Sequence, residues 1–161
     1  MNKLFTVLLL AMTMIACNQS NDYKKITSNP DLYAYTVHEL NQVVMGNNFS
    51  PIVASRNYAY AAIAGYEVVA AGDPTNYQSL AGQLKGLTAL PKPKDTANID
   101  FPYAALLAYA TVGQAVTFPE GSMQDYTDSL RKLVKSNGMS NKMLQASEAF
   151  AKEVSTSIIA W

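Results

Sequence analysis

The run from Pro51 to Gly72 constrains this chain more than any other stretch. Ser50 is a candidate N-cap, Pro51 suits a first helical position where its absent N–H is no loss, and Gly72 suits the residue after a helix end. Between these signals lie Ala54, Ala59, Ala61, Ala62, Ala64, Gly65, Ala70 and Ala71, with Tyr58, Tyr60 and Tyr66 among them. The pattern predicts a helix over 51–71. Small or aromatic residues cover most of its circumference, so it is expected to be buried on several sides as the central helix of a bundle.

Helical spacing recurs on both sides. Leu32, Tyr35, Val37, Leu40 and Val44 predict an amphipathic helix that ends near Gly46 and Asn47. Leu80, Leu84 and Leu87 predict a shorter helix over Tyr77 to Leu87, broken by the prolines at 91 and 93. Asp100-Phe101-Pro102 opens a helix through Val116, rich in Ala, with Tyr103, Leu106, Leu107, Tyr109 and Val112 inside. Ser122 and Asp125 resemble a capping box ahead of Tyr126, Leu130, Leu133 and Val134, and Asn137-Gly138 closes that helix. Ser140 caps a last helix carrying Leu144, Phe150, Val154, Ile158 and Trp161. With no strand-like alternation, the class is all-α, a helical bundle of about five to six helices.

Residues 1–16 do not belong to that bundle. Lys3 precedes an apolar run from Leu4 to Met14, and the small Ala16 stands before Cys17. The run is shorter than the ~20 residues that span a bilayer and gives way to polar Asn18, so it reads as a signal peptide. Cys17 is the only cysteine, placed where lipoprotein processing attaches a lipid, and Met14-Ile15-Ala16-Cys17 resembles a lipobox. Lipidation of Cys17 also accounts for a lone cysteine in an oxidising compartment. Residues 17–30 then form a polar, lipidated tether, and 31–161 the helical domain. The expected location is the cell envelope, with the chain lipid-anchored to a bacterial membrane. The sequence holds 12 basic and 12 acidic side chains, and loss of Lys3 leaves the acidic ones ahead by one. No basic footprint for nucleic acid exists.

The inventory for chemistry is short. His38 is the only histidine, and Glu39 beside it points about 100° away around a helix, so the two form no chelating pair. One histidine and one cysteine exclude the usual zinc sites and Cys–His nucleophiles. Arg56 and Glu67 lie within the apolar run, on roughly one face, where buried charges require partners. Arg56 reads as a bridge to another helix, with anion binding as the alternative. The ten tyrosines read as packing with hydroxyls at the rim, with an aromatic pocket as the alternative. No catalytic, cofactor-binding or metal residue is assigned.

The stretch Asn48-Phe49-Ser50-Pro51-Ile52-Val53-Ala54-Ser55-Arg56-Asn57-Tyr58-Ala59-Tyr60-Ala61, with Ala64-Gly65-Tyr66-Glu67, resembles the N-terminal helical region of bacterial vanadium-dependent haloperoxidase-like lipoproteins of the type 2 phosphatidic acid phosphatase superfamily. Leu80-Ala81-Gly82-Gln83-Leu84, Leu90-Pro91 and the closing Ser147, Phe150, Val154, Ile158, Trp161 spacing add to it. The resemblance implies packed helical bundles and an anion site for vanadate or phosphate in the C-terminal half. That site combines Lys and Arg before a proline, a Ser-Gly-His segment, and Ser-Arg followed by His. Here Ser55-Arg56 is the only Ser-Arg pair and Ala62 stands where the histidine belongs, so no family catalytic residue carries over and no cofactor is expected in this chain.

Two functional readings follow. In the first, the chain is the N-terminal scaffold part of a lipid-anchored haloperoxidase-like or acid-phosphatase-like protein, truncated before its catalytic half. In the second it is a non-enzymatic helical envelope lipoprotein that binds a partner or ligand. Besides the membrane, the expected partner is a C-terminal catalytic half or a second copy. Phe150, Val154, Ile158 and Trp161 are expected to form a bare apolar stripe that would drive either contact.

Overall fold

The computed structural model describes residues 21–161, so the signal segment and Cys17 lie outside the described residues. Six α-helices follow one another there: α1 (Asp22–Thr27), α2 (Pro30–Gly46), α3 (Pro51–Gly72), α4 (Phe101–Ala115), α5 (Gln124–Ser136) and α6 (Asn141–Ala160). A single 3-10 turn, Thr96–Asn98, precedes α4, and the described residues contain no strand. None of these helices is long and apolar enough to cross a membrane.

The centre of the bundle is α4, not α3. Nine of the fifteen residues of α4 are buried against seven of the twenty-two of α3, which leaves Ile52, Val53, Ala59 and Ala62 of α3 exposed. Alanine tolerates water at little cost, so an Ala-rich sequence overstates burial. The two helices nonetheless make the most extensive contact in the molecule. Gly65 lets them approach: a Cβ there would stand 3.4 Å from the Ala105 carbonyl oxygen. Gly113 does the same on the other side of α4, where a Cβ would come within 2.7 Å of a Leu40 methyl. The main core joins α3, α4 and α6 through Ala64, Val68, Ala104, Ala108, Phe150 and Val154.

On α2, Asn29 caps the helix by accepting from Asp31 N–H at 3.0 Å. The buried face includes Leu40 and Val44 of the expected stripe together with Thr36, whereas Tyr35 is exposed. Thr36 faces inward because its hydroxyl donates to the Leu32 carbonyl at 2.8 Å and also meets the Tyr126 hydroxyl. The polar segment expected as tether is helical from Asp22, where Tyr23 is buried and its hydroxyl donates to Met143 Sδ at 3.0 Å. One aromatic ring outweighs the polar neighbours that surround it in sequence.

Three further expectations change. Residues 77–87 form turns rather than a helix, with Gly82 and Gly86 at φ +82° and +88°, a conformation that α-helix excludes. The Ser122–Asp125 capping box does not form: Met123 precedes α5, and the Ser122 hydroxyl lies 3.2 Å from that of Thr117. Most of the stripe on α6 is covered, because Phe150, Val154 and Ile158 are each no more than 3% exposed beneath α3 and α4, whereas Trp161 at its end stays exposed. Ser140 does cap α6, accepting from Met143 N–H at 3.2 Å.

Candidate functional site

A cleft of about 670 Å³ lies between the C-terminal half of α3 and the loop over residues 73–95. Its floor and walls are Ala70, Ala71, Leu90 and Val154, with Tyr77 and three prolines around the mouth. One carboxylate lines it. Glu67 is 3% exposed, and its two oxygens accept from Ser79 Oγ at 2.7 Å and from Leu80 N–H at 2.6 Å. The loop is tied down elsewhere too: Tyr66 donates to the Gln78 carbonyl at 2.8 Å, and Trp161 Nε1 to the Lys85 carbonyl at 3.1 Å. Trp161 meets the ring of Tyr60 edge-on, with centroids 5.8 Å apart. Trp161 is thus a clasp on the loop as well as the end of the α6 stripe.

A second polar node sits at the start of α4. Asp100 caps the helix by accepting from Tyr103 N–H at 2.9 Å, and its own N–H donates to Ser147 Oγ at 2.9 Å. Burial pushes the Asp100 carboxyl above its ordinary range, against the lowering effects of the Tyr103 N–H, Thr27 and Lys24. Nearby, Arg131 pairs with Glu148 at 2.6 Å, and the Tyr103 hydroxyl donates to the same carboxylate at 3.3 Å. Burial first, then Glu148, holds Tyr103 well above the usual phenol range, and burial pushes Tyr109 and Tyr126 up to about 12. These hydroxyls keep their protons at neutral pH and do not act as bases.

The sequence candidates scatter. His38 is exposed on α2, its Nε2 3.0 Å from Gln42 Nε2. Arg56 is exposed on α3, and neither ion pair among the described residues, Asp22–Lys25 or Arg131–Glu148, includes it; the expected bridge to another helix is not formed. Glu67 is buried at the cleft, and its partners are a hydroxyl and a backbone N–H rather than a cation. Its role as a loop clamp leaves no trace in local sequence, because the Ser79 that receives it lies a full loop away. Asp100 is legible in the sequence as the opening of α4, whereas its link to Ser147 rests on a contact across 47 residues.

Fold and cleft together define an all-helical protein with an apolar cleft lined by one buried carboxylate. No family model and no curated protein matches the chain. Among solved structures, the chain is similar to the crystal structure of the first bacterial vanadium-dependent iodoperoxidase. The identity is 35% and the TM-score 0.75, over 82% of this chain and 31% of that one. The chain thus has a haloperoxidase-like helical fold and spans 31% of the length of the protein it matches.

Vanadate is an oxyanion and requires cationic donors that converge. Among the described residues, the arginines and the histidine do not converge on a site for it. Arg131 is committed to Glu148, Arg56 stands alone on the outside of α3, and His38 is bonded to Gln42 on α2. No group of three or more His, Cys, Asp and Glu that could hold a metal ion occurs among the described residues.

Proposed function

We propose that this chain is the N-terminal scaffold part of a lipid-anchored, vanadium-dependent haloperoxidase-like protein. The observation that carries the reading is the 35% identity to the iodoperoxidase over 82% of this chain at a TM-score of 0.75. The oxyanion chemistry belongs to residues beyond Trp161, where cationic side chains and a histidine would bind vanadate or, in an acid-phosphatase-like relative of the same superfamily, phosphate. The bundle described here gives that half a rigid wall to fold against. Cys17 carries the lipid and holds the protein at the cell envelope, facing the periplasm or the exterior.

The test is to express the genomic reading frame to its natural stop beside the 161-residue chain. Both are assayed for vanadate-dependent iodide oxidation by peroxide and for phosphoester hydrolysis. Turnover only in the longer product supports the reading. A natural stop directly after Trp161, with a chain that binds a partner and turns over nothing, would replace it with the non-enzymatic envelope lipoprotein.

A further inference from the structure

The Glu67 cleft holds an imbalance of charge. A carboxylate taken out of water is held by hydrogen-bond donors and gains further from a paired cation. Glu67, 3% exposed, has the hydrogen bonds, one donor to each oxygen, and belongs to neither ion pair among the described residues. Each oxygen retains acceptor capacity beyond the single donor it receives. The field in the cleft is negative for a second, independent reason. Ala70 and Ala71 of the lining belong to the last turn of α3, the negative end of a 22-residue helix that has no basic residue there. Lys92, the cation that lines the cleft, is exposed and forms no ion pair with Glu67.

Apolar walls with a negative pole in the lining suit one ligand chemistry: a positive head on an apolar body. We propose that this cleft binds a small primary amine with an aromatic or aliphatic tail, its ammonium donating to Glu67 and its tail lying among Ala71, Leu90, Val154 and the Tyr77 ring. The site is independent of the peroxidase reading, since it uses residues of this chain alone.

Phenethylammonium and its neutral isostere 2-phenylethanol are the probes, titrated calorimetrically into the full chain and two variants. Glu67→Gln keeps an acceptor for Leu80 N–H and removes the charge; Ala71→Phe fills the cleft. The parent should bind the amine saturably and at least about tenfold more tightly than the alcohol. Glu67→Gln should bring amine affinity down to that of the alcohol, and Ala71→Phe should abolish both. Equal binding of the two probes by the parent, no binding of the amine, or unchanged amine affinity in Ala71→Phe each overturns the proposal. If Glu67→Gln fails to fold, the parent's discrimination between probes and the Ala71→Phe result still decide it.

Discussion

Helix α4 and the loop over residues 73–95 are both fixed in place, by different physics. Around α4 the agents are small side chains and shape: Ala104, Ala108 and Ala110 are fully buried, and Gly113 receives the Leu40 methyls. Around the loop the apolar anchor is mainly Leu87, and single polar bonds from distant residues add to it, Glu67 to Ser79 and Leu80, Tyr66 to Gln78, and Trp161 to Lys85. Close packing is distributed over many contacts and degrades by volume, whereas a clamp made of a few bonds opens when one anchor is removed. The cleft lies against the loop, with α3 and Val154 of α6 as its other wall.

The largest expected effect comes from breaking the packed side. Ala108→Asp places an unpaired charge at a fully buried position and should cost about 4 kcal/mol or more. The same kind of charge at exposed Ala59 of α3, as Ala59→Glu, should change stability by no more than about 0.5 kcal/mol. Denaturant unfolding of the pair checks this. Equal losses would restore α3 to the centre.

On the polar side, Glu67→Ala leaves Leu80 N–H and the Ser79 hydroxyl without their acceptor and should cost about 1–3 kcal/mol. The loss should be local. Amide hydrogen exchange is expected to rise across residues 77–87 while α4 stays protected, and uniform acceleration through α4 would contradict the separation of the two regions.

The smallest effect is a change of slope with pH. Asp100 has a folded pKa above its ordinary 3.8, because burial outweighs its hydrogen bonds. The folded chain therefore keeps a proton that the unfolded chain has released. Its contribution is fully present below 3.8 and is lost as pH rises through the folded value. Asn is an equally good N-cap and does not titrate, so Asp100→Asn should gain stability relative to the parent as pH climbs toward neutral. Parallel midpoint-against-pH curves for the two proteins would contradict it.

The same division explains what could be read from the sequence. α3, α4 and α6 announce themselves through Pro51, Pro102 and Ser140 at their starts and through apolar spacing that survives in the structure as Leu144, Phe150, Val154 and Ile158. Local rules failed where a long-range bond decides. Leu80, Leu84 and Leu87 keep a helical spacing, yet Glu67 captures the Leu80 N–H and two glycines at positive φ turn the chain. The stripe on α6 was legible, whereas its cover was not, because α3 and α4 lie far away in sequence. The carboxylate at the cleft was legible only as a charge in an apolar run.

On the proposed function, this bundle supplies scaffold and its own residues assemble no oxyanion site. Calorimetric titration of the 161-residue chain with vanadate tests it directly, because binding is read without any demand for turnover. No saturable heat is expected. A saturable one-to-one isotherm that disappears in His38→Ala or Arg56→Ala would contradict it and place the oxyanion site within this chain.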